Sequence, residues 1–256
     1  MEYFDSKVLE SFIIPEDRIV TEGFGSTIIE IGKKVINFLI TMVTKFISIL
    51  GNLINKFKHG KTVHNDKETY QENKRLVDAT YKELTYLLIW IPYGIDSIAD
   101  SAYTISPNSI EVGLRHNKPE DDEDYKDRFY EKTINKFNTN FLKLDEKYKF
   151  VESKLNGKTI YLDKNDHDYI IELMEKMKNK LTTINERLKK ELDTQLKSGE
   201  KSATADIIKE SQKRYNIVMN YSTKLNALFN NTVKLITQCV SPDVITDEDI
   251  YKFDLL

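Results

Sequence analysis

The sequence predicts an all-α protein: an elongated bundle of long antiparallel helices, preceded by a flexible acidic N-terminal arm. Three observations predict it. Nine Gly and five Pro in 256 residues are too few for a loop-rich sandwich or barrel, while 40% apolar residues are too many for a disordered chain. Polar residues between Ser26 and Lys58 recur at helical intervals for about seven turns. Apolar residues between Leu173 and Leu192 recur in fours and threes, the seam of a coiled-coil-like hairpin.

Residues 1–22 form an acidic leader. Glu2, Asp5, Glu10, Glu16, Asp17 and Glu22 outweigh Lys7 and Arg18, leaving a net charge of −4. A secretory signal would begin basic and turn apolar, so this is not an export signal. Pro15 and the approach to Gly23 argue against a long helix here, with a short amphipathic piece around Val8–Ile14.

Residues 23–60 then form a basic amphipathic helix. Its polar positions are Glu30, Lys33, Lys34, Asn37, Thr41, Thr44, Lys45, Ser48, Asn52, Asn55 and Lys56, at spacings of 3, 1, 3, 4, 3, 1, 3, 4, 3 and 1. Apolar residues or Gly fill every position between them, and Phe38, Leu39, Met42, Phe46, Leu50 and Leu53 define the wide apolar arc. Gly32 and Gly51 cost the helix roughly 1 kcal/mol each, too little to overturn so regular a pattern. Ser26 or Thr27 is placed to cap its start and Gly60 its end. The narrow polar arc carries Lys33, Lys34, Lys45, Lys56 and Lys58 against Glu30. Three readings remain open: a mostly buried bundle helix, a helix lying in a membrane interface or docking on a partner helix, and a bilayer span. Lys45 at mid-segment counts against the span.

Residues 61–240 make the helical body. Asn65 or Asp66 caps a helix running to about Ile91, with Leu76 or Val77, Thr80 or Tyr81, Leu84, Leu87 and Leu88 inward. Pro92 ends or kinks it just after Trp90, the single tryptophan, and a short helix through Ile95, Ile98, Ala99 and Ala102 follows. Residues 105–118 read as a loop. Pro119 then opens a helix whose first turn is acidic from Glu120 to Asp124 and which runs to about Leu155, with Tyr125, Phe129, Phe137, Phe141 and Tyr148 in the core. Asn156-Gly157 is a turn pair, and Thr159–Leu162 suits a brief extended segment. A further helix starts near Asn165 or Asp166 and closes at Gly199; the last spans about Ser202 to Cys239. Residues 241–256 form an acidic tail whose Ile245, Ile250, Tyr251 and Phe253 are placed to dock on the bundle.

Chemistry-bearing patterns are few. The sequence has no Gly-rich phosphate loop, nucleophile elbow or paired Cys motif, and one cysteine, Cys239, cannot form an internal disulfide. The histidines His59, His64, His116 and His167 lack the i, i+4 spacing of a helical metal pair, and three fall in predicted loops. The run from Asp163 to Asp168 offers oxygen ligands but lacks the Gly and closing Glu of a calcium loop, and a helix cap is needed there. The expectation is a protein that is not an enzyme, with no cofactor, no metal and no catalytic residues. A formal net charge of −3 leaves no nucleic-acid footprint on the whole chain.

The order of these features carries a resemblance. A short acidic leader, then Val20-Thr21-Glu22-Gly23, then a basic amphipathic helix and a Lys/Glu-rich helical body resembles the internal head and minor virion proteins of large tailed bacteriophages of low-GC bacteria. It is a likeness of layout, borne mainly by residues 1–60. In such phages a prohead protease cuts after Glu in aliphatic-x-Glu followed by a small residue. The resemblance therefore implies processing at Val20, Glu22 and Gly23, and packaging in the phage head interior after synthesis in the host cytoplasm. Its partners would be other virion proteins of the capsid or portal interior and the prohead protease, without sequence-specific nucleic-acid binding. Removing the leader brings the formal charge to +1, which lifts most of the repulsion from packaged DNA. The alternative expectation is a membrane-active helical protein, pore-forming or holin-like, using residues 26–58. In that case Phe38, Leu39, Met42, Phe46, Leu50 and Leu53 would enter the membrane or meet a partner, flanked by Lys33, Lys34 and Lys45.

Overall fold

A computed structural model describes residues 24–58, 67–103, 123–197 and 205–240. Five long helices make up nearly all of them: α1 (Phe24–Lys58), α2 (Lys67–Tyr103), α3 (Glu123–Leu155), α4 (Lys164–Lys197) and α5 (Ala205–Thr237). Two two-residue strands, β1 (Ile160–Tyr161) and β2 (Cys239–Val240), pair in parallel. The fold class is all-α, as the periodicities predict. The leader with its Glu22–Gly23 bond, the Pro119 region, Gly60, Gly199 and the tail lie outside the described residues.

The described chain forms two compact units, and every helix contributes a segment to each. The first comprises residues 24–43, 96–103, 123–135, 184–197 and 205–223. Its core brings together Ile31, Val35, Ile36, Phe38, Leu39, Met42 and Val43 of α1, Ile98, Ala99 and Ala102 of α2, Ile184 and Leu188 of α4, and Tyr215, Val218 and Tyr221 of α5. At its surface, Arg187 Nη2 of α4 bridges Asp96 Oδ1 (2.5 Å) and Asp100 Oδ1 (3.1 Å), one helical turn apart on α2.

The second unit comprises residues 44–58, 67–95, 136–183 and 224–240. Its cross-contacts give the direction of each helix. The Phe57 ring of α1 stacks on His167 while Gly51, nearly two turns earlier, lies by Lys178, so α1 and α4 are antiparallel. Tyr81 Oη donates to Asp166 O, and Lys180 Nζ lies over the Tyr93 ring, so α2 runs parallel to α4. Lys147 pairs with Glu83 whereas Leu144 faces Gly94, so α3 runs against α2. α5 ends in β2, which lies beside the strand that precedes α4. Successive helices of this unit therefore alternate in direction.

Local chemistry explains the α3–α4 hairpin. Asn156 (φ 44°) and Gly157 (φ 79°) take the left-handed conformation that ends a helix, and Asn156 N and Lys158 N donate to Glu152 O and Leu155 O, both at 2.8 Å. The carboxylate of Asp163 accepts the Asp166 N–H at 2.8 Å, which makes Asp163, rather than Asn165 or Asp166, the N-cap of α4.

Two further expectations need correction. Pro92 does not end α2, which continues helical through Tyr103. A proline inside a helix costs about 3 kcal/mol, but Leu87, Leu88, Ile91, Ile95, Ile98 and Ala99 are buried on both sides of it and hold the helix together. The last helix stops at Thr237, and Cys239 belongs to β2 instead. In addition, Phe141 and Tyr148 are half-buried, at the margin of the core.

Candidate functional site

The polar stripe of α1 is its solvent edge. Glu30, Lys34, Asn37, Thr41, Thr44, Lys45, Ser48, Asn52, Asn55 and Lys56 are exposed, and Lys33 is half-buried. The apolar arc between them is the opposite: Phe38, Leu39 and Met42 in the first unit and Phe46, Leu50 and Leu53 in the second are at most 5% exposed. The Phe46 ring stacks on Phe229 of α5, centroids 3.8 Å apart and 19° from coplanar. Each such side chain contributes about 1.5–3 kcal/mol by leaving water. The six residues expected to meet a membrane or partner thus pack against this chain's own helices, while Lys34 and Lys45 stand outside. By length and composition, Glu30–Lys58 is nevertheless apolar enough to cross a bilayer.

At the C-terminal end of α1, Lys58 Nζ meets Glu175 Oε1 of α4 at 2.7 Å. Beneath it His167 is buried against the Phe57 ring (5.3 Å, 9°), with Nε2 unpartnered and Nδ1 3.7 Å from Asp168 Oδ1. His167 is therefore part of the packing of α1 on α4, in the first turns of the helix where the sequence placed it.

Among the described residues no group of three or more His, Cys, Asp or Glu side chains could hold a metal ion. The Asp163–Asp168 run is occupied in starting α4, where burial and the neighbouring Asp163 charge raise the Asp166 carboxyl above its ordinary pKa. Cys239 is buried, its Sγ 3.7 Å from Leu235 O, and desolvation pushes the thiol up to about 12. A thiol held protonated in this way is a poor nucleophile and a poor metal ligand.

Sequence reasoning missed two features. The first is a side-chain clasp: Asn73 of α2 donates from Nδ2 to Tyr161 O and accepts from Tyr161 N through Oδ1, both at 2.7 Å. The second is an exposed aromatic ledge on α2. Trp90 (47% exposed) and Tyr93 (51%) have ring centroids 5.4 Å apart, Tyr86 lies 5.9 Å from Trp90, and Ile89 is exposed beside them. Cations flank both ends, with Lys147 Nζ 5.9 Å from the Tyr86 centroid and Lys180 Nζ 4.5 Å from that of Tyr93. The place of Trp90 beside Pro92 was legible; its pairing with Tyr93 and their outward direction were not.

No protein-family model, no curated protein and no solved structure matches this chain.

Proposed function

We propose that this is a non-enzymatic structural protein of a bacteriophage virion, packaged in the head after its acidic leader is cut away following Glu22. The observation that carries the reading is the coincidence of three boundaries. The aliphatic-x-Glu-Gly tetrapeptide Val20–Gly23 ends the acidic segment, the composition turns basic and apolar, and α1 begins at Phe24. Cutting there would take away no residue of the described core, so the bundle would persist as the mature form. Its partners would be the capsid or portal interior and the prohead protease, and the protein would need neither cofactor nor sequence-specific contact with DNA.

The test is intact mass of the protein recovered from its native source, beside the recombinant full chain. A mature species beginning at Gly23 supports the virion reading; a chain still beginning at Met1 overturns the processing step and removes its most specific support.

A second reading is favoured by one observation, that α1 is long and apolar enough to cross a bilayer and carries a basic stripe. Here α1 would leave the bundle to enter a membrane, in the manner of a pore former or holin. It predicts dye leakage from anionic vesicles that is lost in the Phe38→Asp plus Phe46→Asp variant. No leakage from the wild type, with unfolding of that variant in plain buffer, would count against it.

A further inference from the structure

The ledge on α2 is an exposed aromatic stripe with lysines at its rims. Lys82, Tyr86, Trp90 and Tyr93 follow one another at intervals of four, four and three, so they form one stripe along the helix. Lys82 is exposed at its lower end, and Lys147 and Lys180 reach over the rings of Tyr86 and Tyr93 from α3 and α4. Neighbouring aromatic rings left half in water, in a unit whose other large apolar side chains are mostly buried, mark an interaction surface.

We infer that the occupant is this chain's own acidic tail, residues 241–256, folding back over Trp90 and Tyr93. Composition matches first. The segment interleaves Ile245, Ile250, Tyr251 and Phe253 with Asp243, Asp247, Glu248, Asp249 and Asp254 against the single Lys252, giving net −4 opposite Lys82 and Lys180, while Lys147 is already paired with Glu83. Attachment matches second. The tail leaves β2, whose partner strand β1 is clasped by Asn73 of the same helix that carries the ledge. Reach matches third. From Asn73 to Trp90 α2 rises about 25 Å, and the chain from Val240 to Ile250 extends to about 33 Å, so Ile250, Tyr251 and Phe253 are the residues that arrive at the rings. The acidic leader has a similar charge, but it joins α1 in the first unit, whereas the tail continues directly from the unit that bears the ledge. Tethering also gives the tail a high effective concentration that a free partner lacks.

The single tryptophan makes this directly measurable. Trp90 emission and its quenching by acrylamide are compared in the full chain and in the Ile250→Ser, Tyr251→Ser, Phe253→Ser full-length variant, with far-ultraviolet dichroism to verify the helices. The inference expects a red-shifted, more quenchable Trp90 in the variant at unchanged helicity, and reversal on adding a synthetic peptide of residues 241–256. A second variant, Asp247→Lys with Asp249→Lys, should expose Trp90 in the same direction. Identical emission and quenching in wild type and both variants would overturn it. So would protection of Trp90 that rises with protein concentration, which assigns the ledge to a second copy. Protection gained only with anionic vesicles, equally in wild type and variants, would overturn it in favour of a lipid surface.

Discussion

Asn73 holds the backbone of Tyr161 with both halves of its side-chain amide, closing the edge of β1 that β2 leaves open. On the other edge Ile160 N donates to Gln238 O at 2.9 Å, so the short strand has hydrogen-bond partners on both sides. Eighty-eight residues separate the two partners, and the clasp ties α2 to the α3–α4 connection and to the end of α5.

Removing that amide strands the N–H and the C=O of Tyr161 in a partly buried place, which costs about 1–3 kcal/mol. Asn73→Ala should lower the urea midpoint by that much and speed hydrogen exchange at the Tyr161 amide selectively. Unchanged exchange at Tyr161 would mean that water serves this edge as well as Asn73 does.

Two helical glycines should respond in opposite senses. A methyl group at Gly51 would find only the flexible end of Lys178, 3.6 Å from the new Cβ. Gly51→Ala should therefore stabilise by about 0.5–1 kcal/mol through helix propensity. At Gly94 the Cβ would lie 3.2 and 3.4 Å from the two Leu225 methyls and 3.9 Å from Leu144. Gly94→Val must push those neighbours apart and should destabilise by about 1–3 kcal/mol. Thermal melts of both variants decide the matter, and a stabilised Gly94→Val would show that α2, α3 and α5 are less closely packed there.

The long elements were legible because each repeats its own signal for many turns. The α1 stripe predicted which residues face water almost one for one, and the spaced apolar positions on α4 from Leu173 to Leu188 are buried, with Leu192 at the end of the seam half-buried. What failed was what depends on partners distant in sequence. Pro92 carries a local signal to stop, and only the burial on both of its sides overrides it. β2 is two residues long and exists because Ile160 and Tyr161 lie beside it. Asn73 reads as one more polar helix residue until the chain returns with Tyr161. For the candidate sites, the apolar arc of α1 was readable, but its sequence does not say whether its partner is lipid or α5. The outward direction of Trp90 and Tyr93 needed the positions of α3 and α4.

Phe46 offers the sharpest test of where the α1 arc belongs. Its ring stacks on Phe229 and is 1% exposed, so Phe46→Ala should cost about 3–5 kcal/mol in plain buffer, and Phe229→Ala a similar amount. The two share one contact, so the double variant should lose less than the sum of the single losses. Denaturant titration of the four proteins measures the coupling. Additive losses, or a Phe46→Ala protein as stable as the wild type, would indicate that α1 does not rest on α5 in solution.

Burial of Cys239 sets the direction of one pH dependence. The ordinary thiol loses its proton near 9, whereas the folded protein keeps that of Cys239 up to about 12. Below the first value both states are protonated and the contribution to stability is fully present. Between the two values the unfolded chain releases a proton that the folded chain retains, so stability falls as pH rises. Burial acts the same way on Tyr215 and Tyr221, so alkaline weakening is shared among several groups. Cys239→Ala should therefore remove part of the slope above pH 9 and leave the slope below it unchanged. In the native protein a thiol reagent should react only as fast as the structure opens, accelerating with denaturant. Rapid labelling without denaturant, or an alkaline slope identical in the variant, would show that Cys239 is open to solvent and that β2 does not seal it.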